Sequence, residues 1–293
     1  MQNRMGPTYT GPAGILQPFA DFLKLLMKEN IVPKDVKVFV FKFAPILALS
    51  VFVFATFFLP IDGANAIPNS GFEGDLIFVM TLVSIANFFL FLSGWASANP
   101  YSATGAARIL TQFLAYDIPL FILALTPAFL ASSTSISKIA ASQSIPFILL
   151  IPWSFILFLI VLQAELEKNP FDVPAAETEI VGGYETEYAG LRLAFVKFSR
   201  DVQIVLGAGI AVELFLGGPS GPVLFGLPVF WHAFWFVLKT LVVVIITEYI
   251  TCVFARLRID QVLAANWRVF MPISILSLAL TVAAYSWLNL SLG

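Results

Sequence analysis

Cysteine, histidine and charged side chains are scarce in this chain of 293 residues. Cys252 is its single cysteine and His232 its single histidine. One cysteine excludes an intramolecular disulfide and any centre held by several thiolates, and one histidine excludes a haem held by two imidazoles. We therefore expect no cofactor to be bound by this chain alone and expect any redox centre to belong to a partner.

The N-terminal residues, MQNRMGPTYTGPAG, lack the apolar core of a signal peptide, so targeting is expected to come from later apolar segments. Those segments dominate the composition. Hydrophobic residues make up 59% of the chain and charged residues 12%, and the mean hydropathy is +0.90. A soluble domain is nearer about 45–50% apolar and about 25% charged. The composition indicates an integral membrane protein.

Long apolar runs set the predicted fold. A helix that crosses the bilayer needs about 20 mostly apolar residues. The pattern predicts an all-α fold, a polytopic membrane helix bundle with seven transmembrane helices in one integral membrane domain, residues 1–293. The predicted spans are Val38–Leu59, Leu76–Ala98, Ala106–Leu130, Ile145–Ala164, Val202–Leu216, Val229–Phe254 and Val269–Leu290.

The distribution of Lys and Arg predicts the orientation of the bundle. Of the 16 basic residues, 14 fall in or beside alternate loops, Lys138 lies in an opposite loop and Lys239 lies inside a span. Short loops rich in Lys and Arg face the cytoplasm. We therefore predict a multi-pass protein of the cell membrane with its main loops cytoplasmic and its C-terminus outside.

Residues 14–29 have a different pattern, because polar side chains recur at helical spacing among apolar ones. This pattern predicts an amphipathic helix on the cytoplasmic membrane surface. A helix that docks a partner protein would have the same pattern, and both roles stay open.

Charged residues inside or beside apolar spans are the first candidates for function, because a charge at membrane depth is costly unless it faces protein, water or an opposite charge. A purely structural role in helix pairing is the competing interpretation. The candidates for an ion pathway within or next to the spans are Asp117, Glu165, Glu213, Lys239 and Glu248, and Arg108 opens the third span.

Residues 165–200 are predicted to form an acidic cytoplasmic loop and the start of the next helix. Residues 165–187 contain seven carboxylates but only one basic residue, Lys168, and apolar residues lie between them in the sequence. Repulsion among confined carboxylates raises some of their pKa values, which suits a proton relay. A solvated acidic loop is the simpler alternative, but the interleaved apolar residues favour a loop packed into the protein.

The loop NPFDVPAAETEIVGGYETEYAG resembles the corresponding loop of subunit 1 of respiratory complex I and of its relatives in membrane-bound hydrogenases and archaeal ferredoxin-linked complexes. Further matches, QNRMGPTYTGPAGILQPFADFLKLLMKE, SGWASANPYSATGAAR, FWFVLKTL and RLRIDQVLAANWR, follow in the family's order and cover nearly the whole chain.

The resemblance implies a membrane-anchor subunit that links a cytoplasmic iron–sulfur redox arm to an ion-pumping membrane arm and couples electron transfer to H⁺ or Na⁺ translocation. The implied partners are iron–sulfur and hydrogenase-like subunits, antiporter-like membrane subunits and the lipid bilayer, with no nucleic acid. Iron–sulfur clusters would lie in partners, and a quinone would lie at the interface. The acidic positions that match the family's loop are Glu165, Glu177, Glu179 and Glu187. Asp117 stands where complex I usually has Glu. The loop beside the acceptor cavity would include Phe171, Asp172 and Arg192.

The sequence departs from the family pattern in three places. The family has a further transmembrane helix before the QNR motif, and we expect that helix to be missing from this sequence. Ser199 and Arg200 stand where respiratory enzymes carry an acidic residue, and Glu167, Lys168 and Asn169 replace a Thr-Asn-Arg-Ala run. The last two departures favour an archaeal ferredoxin-linked hydrogenase or sulfur-reducing complex over a quinone-reducing complex I. A stand-alone secondary transporter and a passive anchor remain alternatives, although the internal repeats of a transporter are not evident.

Overall fold

The computed structural model describes residues 6–61, 72–223 and 226–292, and for residues 177, 178 and 287–292 it describes the backbone alone. Within these parts the chain is helical and contains no strand. The helices are α1 Gln17–Met27, α2 Val38–Thr56, α3 Asp75–Ala96, α4 Pro100–Ala131, α5 Ile136–Ser142, α6 Phe147–Leu150, α7 Pro152–Glu165, α8 Glu177–Ile180, α9 Gly190–Phe215, α10 Pro228–Val253, α11 Ile259–Ala265 and α12 Met271–Leu292. One π-helical turn, Asn266–Phe270, joins α11 to α12.

Five described stretches are long and apolar enough to cross a membrane: α2, α3, α4, α10 and the continuous stretch Ile259–Ser286. The predicted all-helical, polytopic membrane bundle is confirmed, but seven such helices are not found among the described residues. The fourth predicted span is broken at Ile151, because Pro152 lacks a backbone N–H and disfavours helical geometry in the residue before it. This leaves α7 with 14 residues. The fifth predicted span is the second half of α9, whose first half carries charged residues.

Helix α4 is the centre of the bundle, with α3, α7 and α12 packed around it. Large buried side chains such as Leu90, Tyr116 and Phe158 fill the space between these helices. By contrast, α10 and the α11–α12 stretch have only 17% of their most apolar windows buried. Their exposed faces are apolar, as expected for surfaces that meet lipid or other membrane helices.

The predicted amphipathic segment contains α1, which packs beside α9. Phe22 lies 5.8 Å from Phe198, centroid to centroid, and Asp21 pairs with Lys24 at 2.9 Å. Phe19 is 70% exposed and Leu23 58% exposed. The helix thus presents apolar side chains outward, as a helix that meets a membrane surface or a partner does.

The acidic loop is inserted into the bundle between α3 and α4, and two glycines make the space for it. A Cβ on Gly94 would lie 2.6 Å from the Tyr184 Cβ, and one on Gly105 would lie 2.7 Å from the Tyr184 backbone nitrogen. Gly183 has φ +57°, and a Cβ there would lie 2.0 Å from the Pro174 carbonyl oxygen. The SGWASANPYSATGAAR and VGGY segments therefore fit together as one packed unit.

A second anchor fixes the end of the loop. The Tyr188 ring stacks on Phe41 at 4.3 Å, and its hydroxyl donates to the Ser93 carbonyl at 3.0 Å. Beyond it, the Leu191 N–H at the start of α9 donates to Asn30 Oδ1 at 2.9 Å. The loop is thus attached to α2, to α3 and to the segment that follows α1.

We predict that Gly105→Ala will push the loop out of its slot, because the new methyl group meets backbone atoms that cannot move aside. Overpacking of this kind costs about 1–3 kcal/mol. Thermal unfolding of the detergent-purified complex would measure the loss. Gly182→Ala is the matched control in the same loop, since its Cβ would meet nothing closer than Thr186 Oγ1 at 3.5 Å. Equal stability of the two variants would contradict the insertion.

Candidate functional site

Glu165, the last residue of α7, lies where α3, α7 and α9 meet. Its side chain is 5% exposed and accepts a hydrogen bond from Asn87 Nδ2 on α3. Gln203 on α9 donates to Asn87 Oδ1 at 3.1 Å and to the Glu165 carbonyl at 3.2 Å. Buried polar groups need such partners. The three residues therefore connect three helices at one point.

Arg200 extends this cluster into the acidic loop. It lies one turn before Gln203 on α9 and donates to Gln203 Oε1 at 3.1 Å and to the Tyr184 hydroxyl at 2.9 Å. Its guanidinium also forms an ion pair with Glu167, and the two side chains are 14% and 9% exposed. Glu167 has φ +51°, a left-handed conformation that costs a non-glycine residue about 1–3 kcal/mol. The strained backbone directs the carboxylate inward to Arg200.

The carboxyl groups at the end of the cluster nearest the acidic loop bind protons more tightly than exposed carboxyl groups do. Burial raises the pKa of Glu167 against the opposing attraction of Arg200. Burial likewise raises the pKa of Glu185, and the positive charges of Lys197 and Arg200 oppose this effect. The Tyr184 hydroxyl donates a hydrogen bond to Glu185 at 3.4 Å. A raised pKa means that a buried carboxyl group takes up a proton more readily than an exposed one does. Proton storage and transfer is the chemistry that this arrangement favours.

Asp117 continues the cluster towards the middle of the bundle. It is partly buried on α4, 17 residues after Pro100 or about 25 Å along the helix. Ser84 on α3, one turn from Asn87, donates to Asp117 Oδ1 at 2.8 Å. The Asp117 and Glu165 carboxylates are close enough to repel each other. The structure thus brings together two of the predicted pathway residues.

Two other predicted acidic residues lie at the edges of the loop instead. Glu179 is 49% exposed and pairs with Arg108 at 2.6 Å and with Arg256 at 3.4 Å. The hydrogen bond from Arg108 lowers the Glu179 pKa, so this carboxylate stays charged. Glu187 accepts from Asn99 Nδ2 at 2.5 Å. The side chain of Glu177 lies outside the described residues.

The remaining predicted pathway residues are on α9 and α10. Glu248 is exposed near the end of α10 and pairs with Lys168, so it does not lie buried at membrane depth as the sequence pattern suggested. Glu213 and Lys239 interact electrostatically. Glu213 lies ten residues beyond Gln203, about 15 Å along α9, and so lies apart from the cluster.

The residues of the predicted acceptor-cavity loop are dispersed. Phe171 is buried against Tyr116, with ring centroids 5.3 Å apart, and so belongs to the core. Arg192 lies 6.0 Å from the Phe41 ring. Asp172 is partly buried in the loop. Among the described residues, no group of three or more His, Cys, Asp or Glu side chains is placed to hold a metal ion.

Several cluster members were missed because only charged residues were sought inside the spans. Ser84 and Asn87 stand three apart in an otherwise apolar helix, and Gln203 stands three after Arg200. That spacing places each pair on one helix face. Polar residues at such spacing inside an apolar span are a usable signal for a buried network.

Comparisons with known proteins show similarity over nearly the whole chain. Residues 1–282 match the family described as NADH dehydrogenase. The chain is 36% identical over 280 residues to an NADH-quinone oxidoreductase subunit of Dehalococcoides mccartyi strain CBDB1, covering 96% of this chain and 77% of that protein. It is 36% identical over 290 residues to the same subunit of Geobacillus kaustophilus, covering 98% and 86%. It is 37% identical over 283 residues to that of Bacillus cytotoxicus, covering 96% and 84%.

We predict that Arg200→Met will destabilise the protein by about 3–5 kcal/mol, because it leaves the buried Glu167 carboxylate without its cation. Adding Glu167→Gln should restore most of the loss by removing the orphaned charge. The measurement is thermal or denaturant unfolding in detergent. Arg258→Met is the control, because the Arg258–Asp260 pair is 81% and 79% exposed and exposed pairs contribute about 0–1 kcal/mol. An additive double variant would contradict a coupled buried pair.

Proposed function

This chain belongs to the NADH dehydrogenase family, the family of complex I subunit 1, and is a membrane subunit of an oxidoreductase complex; from that premise we propose that it couples electron transfer in partner subunits to ion translocation across the membrane. Its own residues would move protons rather than electrons. Catalysis by the isolated chain is not expected.

The observation that carries this proposal is the continuous polar cluster from the acidic loop to the bundle interior. Glu167 and Arg200 lie at the loop end, Glu165 lies between the helices, and Asp117 lies at mid-depth. Burying so many ionisable groups in an apolar bundle costs free energy, and a structural role alone does not account for that cost. A change of charge at the loop would alter the proton affinity of Glu165 through Arg200 and Glu167, and so reach the interior.

Partners would fit on two sides of the molecule. We propose that the iron–sulfur arm docks on the cytoplasmic face formed by the acidic loop and α1, where apolar residues of α1 are exposed. The clusters, and a quinone where one is used, would then lie in or against partner subunits. Antiporter-like subunits would cover the sparsely buried faces of α10 and α12. The remaining exposed apolar surface would face lipid.

We expect Glu165→Gln to lower the number of protons moved per electron by about tenfold or more, since an amide cannot pass a proton on. Electron transfer and proton uptake would be measured together on vesicles that hold the intact complex. Glu73→Gln is the control, because Glu73 is an exposed carboxylate outside the cluster. Unchanged coupling in Glu165→Gln would refute the proposed role.

The same vesicles separate the alternatives. A passive anchor would lose assembly rather than coupling when Asp117 or Glu165 is replaced. A stand-alone secondary transporter would retain uptake activity when purified without partners. Either result would replace the coupling role, since that role requires an assembled complex with normal electron transfer and impaired ion movement.

The identity of the electron acceptor is a separate and more specific proposal. The Arg200–Glu167 pair and the altered run Glu167-Lys168-Asn169 support a ferredoxin-linked hydrogenase or sulfur-reducing complex, whereas the names of the relatives support quinone as the acceptor. We expect the purified complex to contain nickel if it is a hydrogenase. Metal analysis and extraction of bound quinone would test this, and quinone without nickel would favour the respiratory type.

A further inference from the structure

A second buried carboxylate lies far from the cluster just described. Glu213 is fully buried near the end of α9. Within the described structure neither of its carboxylate oxygens has a hydrogen-bond partner. A buried charge without hydrogen bonds is costly, so any charge on this group must be balanced by a neighbouring cation.

Lys239 on α10 is that cation. Its Nζ donates to the carbonyl oxygens of Leu216, Gly218 and Ser220 at 2.8, 2.9 and 2.8 Å. An ammonium group has three N–H donors, and these contacts use all three. These three hydrogen bonds favour the charged form of Lys239. Among the residues that the structure describes, Glu213 has no comparable hydrogen bonds that would hold its carboxylate in the charged form.

A pocket opens beside this pair. Its volume is about 260 Å³. It is lined by Pro60, Ser137, Ala140, Ala141, Gly217, Pro219, Ser220 and His232. A Cβ on Gly218 would lie 2.2 Å from Glu213 Oε2. The carboxylate is therefore separated from the pocket by one turn of backbone, the turn from Gly217 to Ser220.

The space between Glu213 and the first cluster is apolar. A cavity of about 20 Å³ borders Glu165 and Gln203. Its other walls are apolar and include Leu120, Phe158 and Leu162. On the side towards Glu213 this cavity offers water few hydrogen-bond partners. The described structure therefore shows no polar connection between Glu213 and Glu165.

We propose that Glu213 is a proton-exchange site that is reached from the face opposite the acidic loop through this pocket and across the Gly217–Ser220 turn. One proton passes between the Glu213 carboxyl group and water in the pocket, and no electron moves. His232 lines the pocket, with its Nδ1 3.0 Å from the Pro219 carbonyl oxygen, and Lys239 supplies the counter-charge. His232 lies 16 residues, about 24 Å along α10, before Glu248, which pairs with the loop residue Lys168. The pocket and the loop therefore lie at opposite ends of the bundle.

Other charges near this end of the bundle are already paired. Lys138 on α5 pairs with Glu73. Asp75 on α3 accepts from the Ile136 N–H at 2.7 Å and from Ser135 Oγ at 3.2 Å. In the described part of this end, Lys239 and His232 on α10 are the groups left to set how Glu213 responds to pH. The claim that Glu213 takes part in ion translocation rests on the proposed function. The claim that Glu213 binds and releases a proton does not.

The position of the pocket is tested by labelling. Ala141→Cys in a Cys252→Ser background places one thiol in the pocket, and the native protein carries an exposed thiol, Cys252, at the other end of α10. Sealed vesicles of each orientation, holding the intact complex, would be treated with a membrane-impermeant maleimide. We expect Ala141→Cys to react in the orientation in which Cys252 does not. Reaction of both thiols from one face, or no reaction of Ala141→Cys from either face, would overturn the proposal.

Proton binding is tested by infrared difference spectra recorded across a pH change. Glu213→Gln should lose one carboxyl band that Glu73→Gln retains, and an unchanged spectrum would overturn the site. Wild-type Glu213 should also react with dicyclohexylcarbodiimide, which modifies protonated carboxyl groups in apolar surroundings. This second measurement uses the wild-type protein, so it remains possible if the Glu213→Gln variant assembles poorly. No modification of Glu213 at any pH would count against it.

The link to translocation is measured separately. Glu213→Gln should lower protons moved per electron by about tenfold or more, with assembly and electron transfer retained. Full translocation in this variant would show that the pump does not use the site. Wild-type vesicles that move no protons would refute the proposed function instead, while the labelling and infrared results would still decide whether Glu213 exchanges protons with the opposite face.

Discussion

The contact on which the candidate site depends is the ion pair between Arg200 and Glu167. Arg200 belongs to a helix and Glu167 to the acidic loop, and both are mostly removed from water. In an apolar bundle neither charge is stable without the other. Because Arg200 also donates to Tyr184 and to Gln203, one guanidinium joins the inserted loop to the buried helix junction.

The insertion of the loop makes that contact possible. Tyr184 fits between α3 and α4 because Gly94 and Gly105 have no side chain there. The loop backbone then takes the place that side chains would fill between two packed helices, and Ser102 Oγ donates to the Tyr184 carbonyl at 3.3 Å. A loop held in this way transmits a displacement to Glu165 instead of absorbing it, because close-packed interiors deform little.

Helix α9 joins two different electrostatic environments. Its first half carries Arg200 and Gln203 into the cluster, and its end carries Glu213 to the Lys239 turn. An apolar stretch of the helix, which includes Gly207 and Ile210, separates these two groups of polar residues. The charged first half also explains why the predicted span at Val202–Leu216 is short by itself.

Much of the architecture was determined by the sequence alone, because the hydrophobicity of a bilayer-spanning helix and the cost of a buried charge are local properties. They predicted the helical bundle and the packed acidic loop, and they singled out Asp117 and Glu165, which the structure places near each other. Which polar groups meet was decided by the tertiary structure, because Asn87, Glu165 and Gln203 come from three different helices whose contact depends on packing. The position of the loop beside Arg200 depends in turn on two glycines. For the same reason only the fold could separate Glu213 from Glu165 and place Glu248 in a surface ion pair.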